Sequence, residues 1–90
     1  MKNQTEILQD IEDAKNSTLL YLKKEPKAAD LNWVFEELMR LSQLVLNSWP
    51  LQEDDKKTIE IGVFGARNLH ELDNAKLAVK LAKLDAQLKK

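Results

Sequence analysis

Three observations predict an all-α fold for this chain of 90 residues. Apolar residues recur at three- and four-residue steps in every long segment, no segment alternates with a period of two, and only two glycines and two prolines interrupt the pattern. Helices of that kind joined by short connections make an antiparallel four-helix bundle, or two packed helical hairpins, in one domain over residues 1–90.

From about Gln4 to Lys24, Ile7, Ile11, Ala14, Thr18 and Tyr21/Leu22 form one stripe of a first helix. Lys23 and Lys24 fall in its last turn, where cations complement the dipole, and Glu25-Pro26 breaks it. Leu31, Val34, Phe35, Leu38, Leu41 and Val45 share one arc of a second helix over about residues 27–47, which Trp49-Pro50 closes. A third helix is expected over about 55–70, capped by Asp54 or Asp55. Its stripe is Ile59, Val63 and Ala66, but Ile61 and Phe64 point elsewhere, so it reads as the central element of the bundle. Gly62 and Gly65 each cost about 1 kcal/mol against alanine inside a helix, which predicts a neighbouring backbone approaching closely there. Asp73 caps a fourth helix in which Leu77, Leu81, Leu84 and Leu88 make a narrow seam.

Composition excludes several functions. Fourteen basic against fifteen acidic side chains give a net charge of −1, so no general field favours nucleic acid or an anionic membrane. Cysteine is absent, which removes disulfides, thiolate catalysis and cysteine metal sites. The single histidine, His70, cannot build a zinc site or the paired Glu-x-x-His motifs of a di-iron bundle, and no serine is directed at it. Both glycines lie in a helical pattern without the Lys-Ser/Thr of a phosphate loop. No catalytic, metal or cofactor residues are therefore assigned, and the chain reads as a non-enzyme. The N-terminal stretch lacks a hydrophobic signal core, and no apolar run approaches the roughly 20 residues of a membrane span. The expected compartment is the cytoplasm.

What remains is surface. Projected at 100° per residue, Glu6, Asp10 and Asp13 form an acidic stripe with no lysine inside it. On the second helix Trp33, Glu36, Glu37, Arg40 and Leu44 fall opposite the core arc. An indole beside carboxylates and an arginine has the makeup of an interface hot spot, although Trp33 packing on another helix is an equal alternative. Trp49 falls on the core side and reads as structural. Glu53-Asp54-Asp55 is read first as capping, and Lys76, Lys80, Lys83, Lys89 and Lys90 as a solvated face. Together the acidic patches would complement a basic cleft.

The order Ala14 to Leu22, Pro26, Leu31, Val34, Glu37-Leu38, Leu41 to Leu46, Ile61-Gly62, Ala66-Arg67, Leu69, the acidic Glu71/Asp73 turn and Leu77-Ala78-x-x-Leu81 resembles a known family. It is that of the small helical immunity proteins of type VI secretion effectors, with the nearest likeness to the group that neutralises NAD(P)-degrading toxins. The likeness covers about residues 11–84 and rests on packing positions and turns. An extra residue between Asp73 and Leu77, the lack of a proline after Asp73, and Gly65 depart from the pattern and leave the cognate toxin open.

The resemblance implies an immunity protein that covers the active site or substrate entrance of an interbacterial toxin. That toxin would be NAD-consuming, nucleotide-modifying or ADP-ribosylating. The candidate contacts come from the helical projection and not from the family. No nucleic-acid or membrane partner is expected. The rival expectation is a helical adaptor or assembly subunit that forms a homodimer through the leucine seam of its C-terminal helix.

Overall fold

The structure, a computed structural model, describes residues 3–69 and 75–90. Five helices follow in order: α1 Gln4–Lys24, α2 Ala29–Ser48, α3 Glu53–Lys57, α4 Ile61–Asn68 and α5 Ala75–Leu88. His70 and the Glu71/Asp73 turn, including the expected cap at Asp73, lie outside the described residues.

Helix α1 has the expected bounds, and local chemistry sets both ends. The Asn3 side chain accepts from the Glu6 backbone amide at 2.8 Å while the Glu6 carboxylate accepts from the Asn3 amide at 3.3 Å, a reciprocal cap. Lys23 and Lys24 occupy its last turn. Pro26 belongs to the turn that approaches α2, which begins at Ala29 rather than near Lys27. The Asn32 amide ties that turn down by donating to the carbonyls of Pro26 (3.1 Å) and Ala28 (2.9 Å). Helix α2 stops where Trp49 takes an extended conformation before Pro50.

The expected third helix over 55–70 is instead two helices. Ile59 and Ile61 are both buried, at 1% and 0% exposure, yet two residues of a continuous helix point about 200° apart. A break lets both enter one core. It is made by three-residue closures, Thr58 N–H to the Asp55 carbonyl and Ile59 N–H to the Lys56 carbonyl, and the Thr58 hydroxyl also donates to the Asp55 carbonyl. The residue preceding α3 is Gln52, not Asp54 or Asp55, and the Asp55 carboxylate accepts from its backbone amide. Acidic residues here do serve helix capping. The expected stripe of Ile59, Val63 and Ala66 is also corrected: Val63 is 50% exposed and Ala66 is exposed, whereas Ile61, Gly62, Gly65 and Leu69 face inward.

Helix α1 packs against α2 and α5, and α4 packs against α5 and α2. The four long helices therefore close a ring, and none is central, α4 included. Two antiparallel hairpins, α1/α2 and α4/α5, make the bundle. Gln4 of α1 donates to the Val45 carbonyl near the end of α2 at 2.9 Å, and Gly62 and Gly65 meet Asp85 and Leu81, respectively. Leu38, Leu41, Val45, Ile7, Ile11 and Leu81 are fully enclosed in the shared core, each contributing about 1.5–3 kcal/mol of apolar burial. Phe35 lies half-buried at the margin of its arc, and Trp49 packs against the core as expected.

The glycines act where α4 meets α5. A Cβ on Gly62 would lie 2.9 Å from Asp85 Cβ and 3.0 Å from its Oδ2, and one on Gly65 would lie 3.6 Å from Ala78 Cα. At both glycines the nearest neighbour is a side chain and not the expected backbone: Asp85 at Gly62, and Leu81 Cδ1 at 3.3 Å at Gly65, where the Ala78 backbone lies at ordinary van der Waals distance. Asp85 is buried at 7% exposure, and its Oδ2 accepts from the Gly62 amide at 2.8 Å while its Oδ1 pairs with Lys89 at 2.8 Å. Helix α4 has no capping bond from its own Glu60, so a carboxylate from α5 satisfies one of its free amides. No helix among the described residues is long and apolar enough to cross a membrane.

Candidate functional site

The fold separates the eight residues that helical projection assigns to a partner. Asp10 and Asp13 line a cleft between α1 and α5, with Glu6 one turn earlier on α1. Trp33 and Arg40 reach α4 and the chain entering it. In a ring ordered α1, α2, α4, α5, those two seams lie on opposite sides, so one flat interface does not cover both.

On the α2/α4 side the residues are engaged within the chain. The Trp33 ring stacks on Phe64 with centroids 4.0 Å apart and planes at 23°, and Trp33 is half-buried. Of the two readings of this indole, packing on another helix is the one observed. The Arg40 guanidinium binds Glu37 through two nitrogens, Nε at 2.8 Å, and continues to the hydroxyl (3.3 Å) and carbonyl (3.2 Å) of Thr58. It thereby holds the α3/α4 break against α2. Leu44 is half-buried against the core rather than facing solvent opposite it. Glu36 and Arg40 are the exposed members of this group, and of the two only Arg40 is bonded to other side chains among the described residues. Trp33, Phe64, Glu60 and Arg67 surround a surface cleft of about 300 Å³.

The α1/α5 side is open. Asp10, Asp13 and Ala14 face Lys80, Lys83 and Gln87 across a cleft of about 180 Å³. A second cleft, about 340 Å³, lies between Ser17, Leu20, Tyr21 and Lys24 on α1 and Lys76, Leu77 and Lys80 on α5. Lys80 lines both, so they form one groove along the seam. Its origin is local: Ala14 and Ser17 are too small to fill the space that the lysine stems of α5 border. The acidic stripe of α1 is accordingly not isolated from cations, because lysines of α5 stand opposite it. Glu6 is committed to the α1 cap, and Asp13 accepts from Gln9 at 3.2 Å. Gln87 Oε1 is buried without a hydrogen-bond partner among the described residues, an incompletely satisfied acceptor at the acidic end.

Lys80 Nζ donates to Ser17 Oγ at 2.9 Å. A serine activated by lysine requires a dry site around a neutral amine, and Lys80 is exposed. The contact is a tether between helices. Among the described residues no three His, Cys, Asp or Glu side chains are grouped to hold a metal ion.

The leucine seam of α5 faces inward. Leu77, Leu81, Leu84 and Leu88 are 0–3% exposed and belong to the core, so within this fold they are not offered to a second copy. Sequence reasoning missed the groove because its apolar and basic residues come from two helices whose adjacency only the ring order establishes. Ala14 and Ser17, small residues on a core-side flank of α1, were the available signal. Comparison with family models, curated proteins and solved structures finds no match.

Proposed function

We propose that this chain is a non-catalytic immunity protein that binds a cognate interbacterial toxin domain and obstructs its active site or substrate entrance. The observation that supports this reading is the open α1/α5 groove, which carries Asp10 and Asp13 at one end beside the incompletely bonded Gln87. A basic rim around a toxin cleft complements those carboxylates, and the steering acts mainly on the association rate. The α2/α4 group of Trp33, Glu37 and Arg40 is assigned to stability, and Glu36 remains the one acidic candidate of α2 open to a partner. The leucines that the dimerising-adaptor reading invokes are buried within the chain, which favours the immunity reading over it.

The test is coexpression with the C-terminal domain of the large reading frame immediately upstream, reading growth and copurification. Rescue with a stable complex is expected, and reversal of Asp10 and Asp13 to lysine should slow association roughly tenfold at low salt. Killing that the chain neither prevents nor binds defeats the immunity reading. Unchanged association after both reversals removes the acidic end of the groove from it.

A further inference from the structure

The acidic end accounts for less than half of the groove. Its longer part has an apolar floor and a basic rim. Leu20 is 62% exposed and lies with Tyr21 and Leu77 in the 340 Å³ cleft, while Lys24, Lys76 and Lys80 stand around it. Lys76, Lys80 and Lys83 are spaced i, i+4, i+7 along one edge of α5, covering about 10 Å at the helical rise. Lys24, Lys76 and Lys83 make no ion pair with any described residue. Lys80 and Lys83 stand opposite Asp10 and Asp13, but at the Lys24/Lys76 end no carboxylate lines the cleft among the described residues, so a partner carrying carboxylates beside the exposed leucine complements that end.

We infer that this half of the α1/α5 groove is a docking site for an acidic amphipathic helix of a protein partner. The helix would lay an apolar anchor against Leu20 and Tyr21, over the buried Leu77 that floors the cleft, and its carboxylates would face Lys24, Lys76 and Lys80. This is the helix-in-groove mode, with apolar residues at i, i+3/i+4 giving affinity and the charge row fixing the register. The groove then has two recognition ends of opposite sign: Asp10 and Asp13 for a cationic feature, and the lysines for an acidic helix. The inference deepens the binding reading above, because the helix would belong to the same toxin, but the surface chemistry is testable without one.

The experiment uses the full chain and two synthetic four-turn helical peptides. Both carry leucine at i, i+3/i+4 positions; one has glutamate on the flanks and the other has lysine at the same places. Binding is followed by amide chemical shifts, with a single-stranded RNA oligonucleotide as a third probe. The acidic peptide is expected to move the resonances of Ser17, Leu20, Tyr21, Leu77 and Lys80 and to weaken as salt rises. The K24E/K76E double variant should bind it about tenfold more weakly and prefer the lysine peptide. These exposed lysines have no structural partner to lose, so the variant is expected to fold.

Equal binding of both peptides, absence of binding, or shifts confined to the exposed apolar residues Leu19, Met39 and Leu46 would overturn the inference. Tighter binding of the RNA than of the acidic peptide would do the same. The two readings fail separately. Toxin rescue without peptide binding removes the docking site alone, whereas peptide binding at the groove without rescue removes only the toxin.

Discussion

The two seams that join the hairpins have opposite fates. On the α2/α4 side, a tryptophan–phenylalanine stack and an arginine spanning Glu37 and Thr58 bridge the helices with side chains bonded within the chain, beside a surface cleft of about 300 Å³. On the α1/α5 side, Ala14 and Ser17 leave a groove whose edges are carboxylates and lysines. Both seams occur in one small domain with little stability in reserve. The bridged seam supplies cohesion, and the open groove leaves apolar surface and charge available to a partner. Helical projection alone does not separate them: it offers Trp33 and Arg40, which have the composition of a hot spot, beside the acidic stripe of α1, whereas Trp33 and Arg40 occupy structural positions.

The largest way to break the contrast is through the placement of α4, on which the bridged side depends. Gly62→Val would set a branched side chain against Asp85, whose Cβ and Oδ2 already lie 2.9 and 3.0 Å from an ideal Cβ. It would also disturb the buried bond from the Gly62 amide to that carboxylate. We expect a loss of about 3 kcal/mol in denaturant unfolding, the upper end of ordinary overpacking costs. A loss below roughly 0.5 kcal/mol would mean that α4 and α5 can separate freely there.

Next comes Trp33→Ala. A fully buried aromatic costs about 3–5 kcal/mol to truncate, and Trp33 is half-buried with a stacking partner, so about 2 kcal/mol is expected. Binding by the folded fraction should be unchanged. If stability holds while binding falls, the indole is an interface anchor and the assignment of the two sides is reversed. Arg40→Ala should cost about 1 kcal/mol, because its pair with Glu37 is local and partly exposed but its bonds to Thr58 tie two elements together. A double-mutant cycle of Arg40 with Thr58→Ala isolates the hydroxyl's share of that bridge.

The sequence made α1 legible to the residue because its periodicity, its Pro26 stop and its terminal lysines all agree. The segment from Glu53 to Leu69 was less legible. Its apolar residues do not fit one helical face, a conflict with two physical solutions: surround the helix with neighbours, or break it. The break is found, and Ile59 and Ile61 on opposite azimuths were the sign of it. Gly62 announced a close approach correctly, but not that the visitor would be Asp85, which pattern alone assigns to the polar face. The missing N-cap side chain of α4 was the other half of that signal. For the site, each helix revealed its own acidic or basic row. Which rows meet depends on the ring order, and periodicity within single helices carries no information about that order.

The smallest expected stability effect separates the two sides most sharply. Ser17→Leu would fill the groove as Trp33 and Phe64 bridge the opposite seam, at the loss of the exposed Ser17–Lys80 bond. Lost exposed hydrogen bonding, gained helix propensity and gained apolar contact are each a few tenths of a kcal/mol and of mixed sign, so stability should move by no more than about 0.5 kcal/mol. Partner and acidic-peptide binding should nevertheless fall, because the leucine would occupy the space an anchor needs. If binding survives, the groove is only a packing gap; if it is lost while the unfolding midpoint stays put, the space itself has a function. The chain would then leave the seam open for reasons that its own folding does not supply.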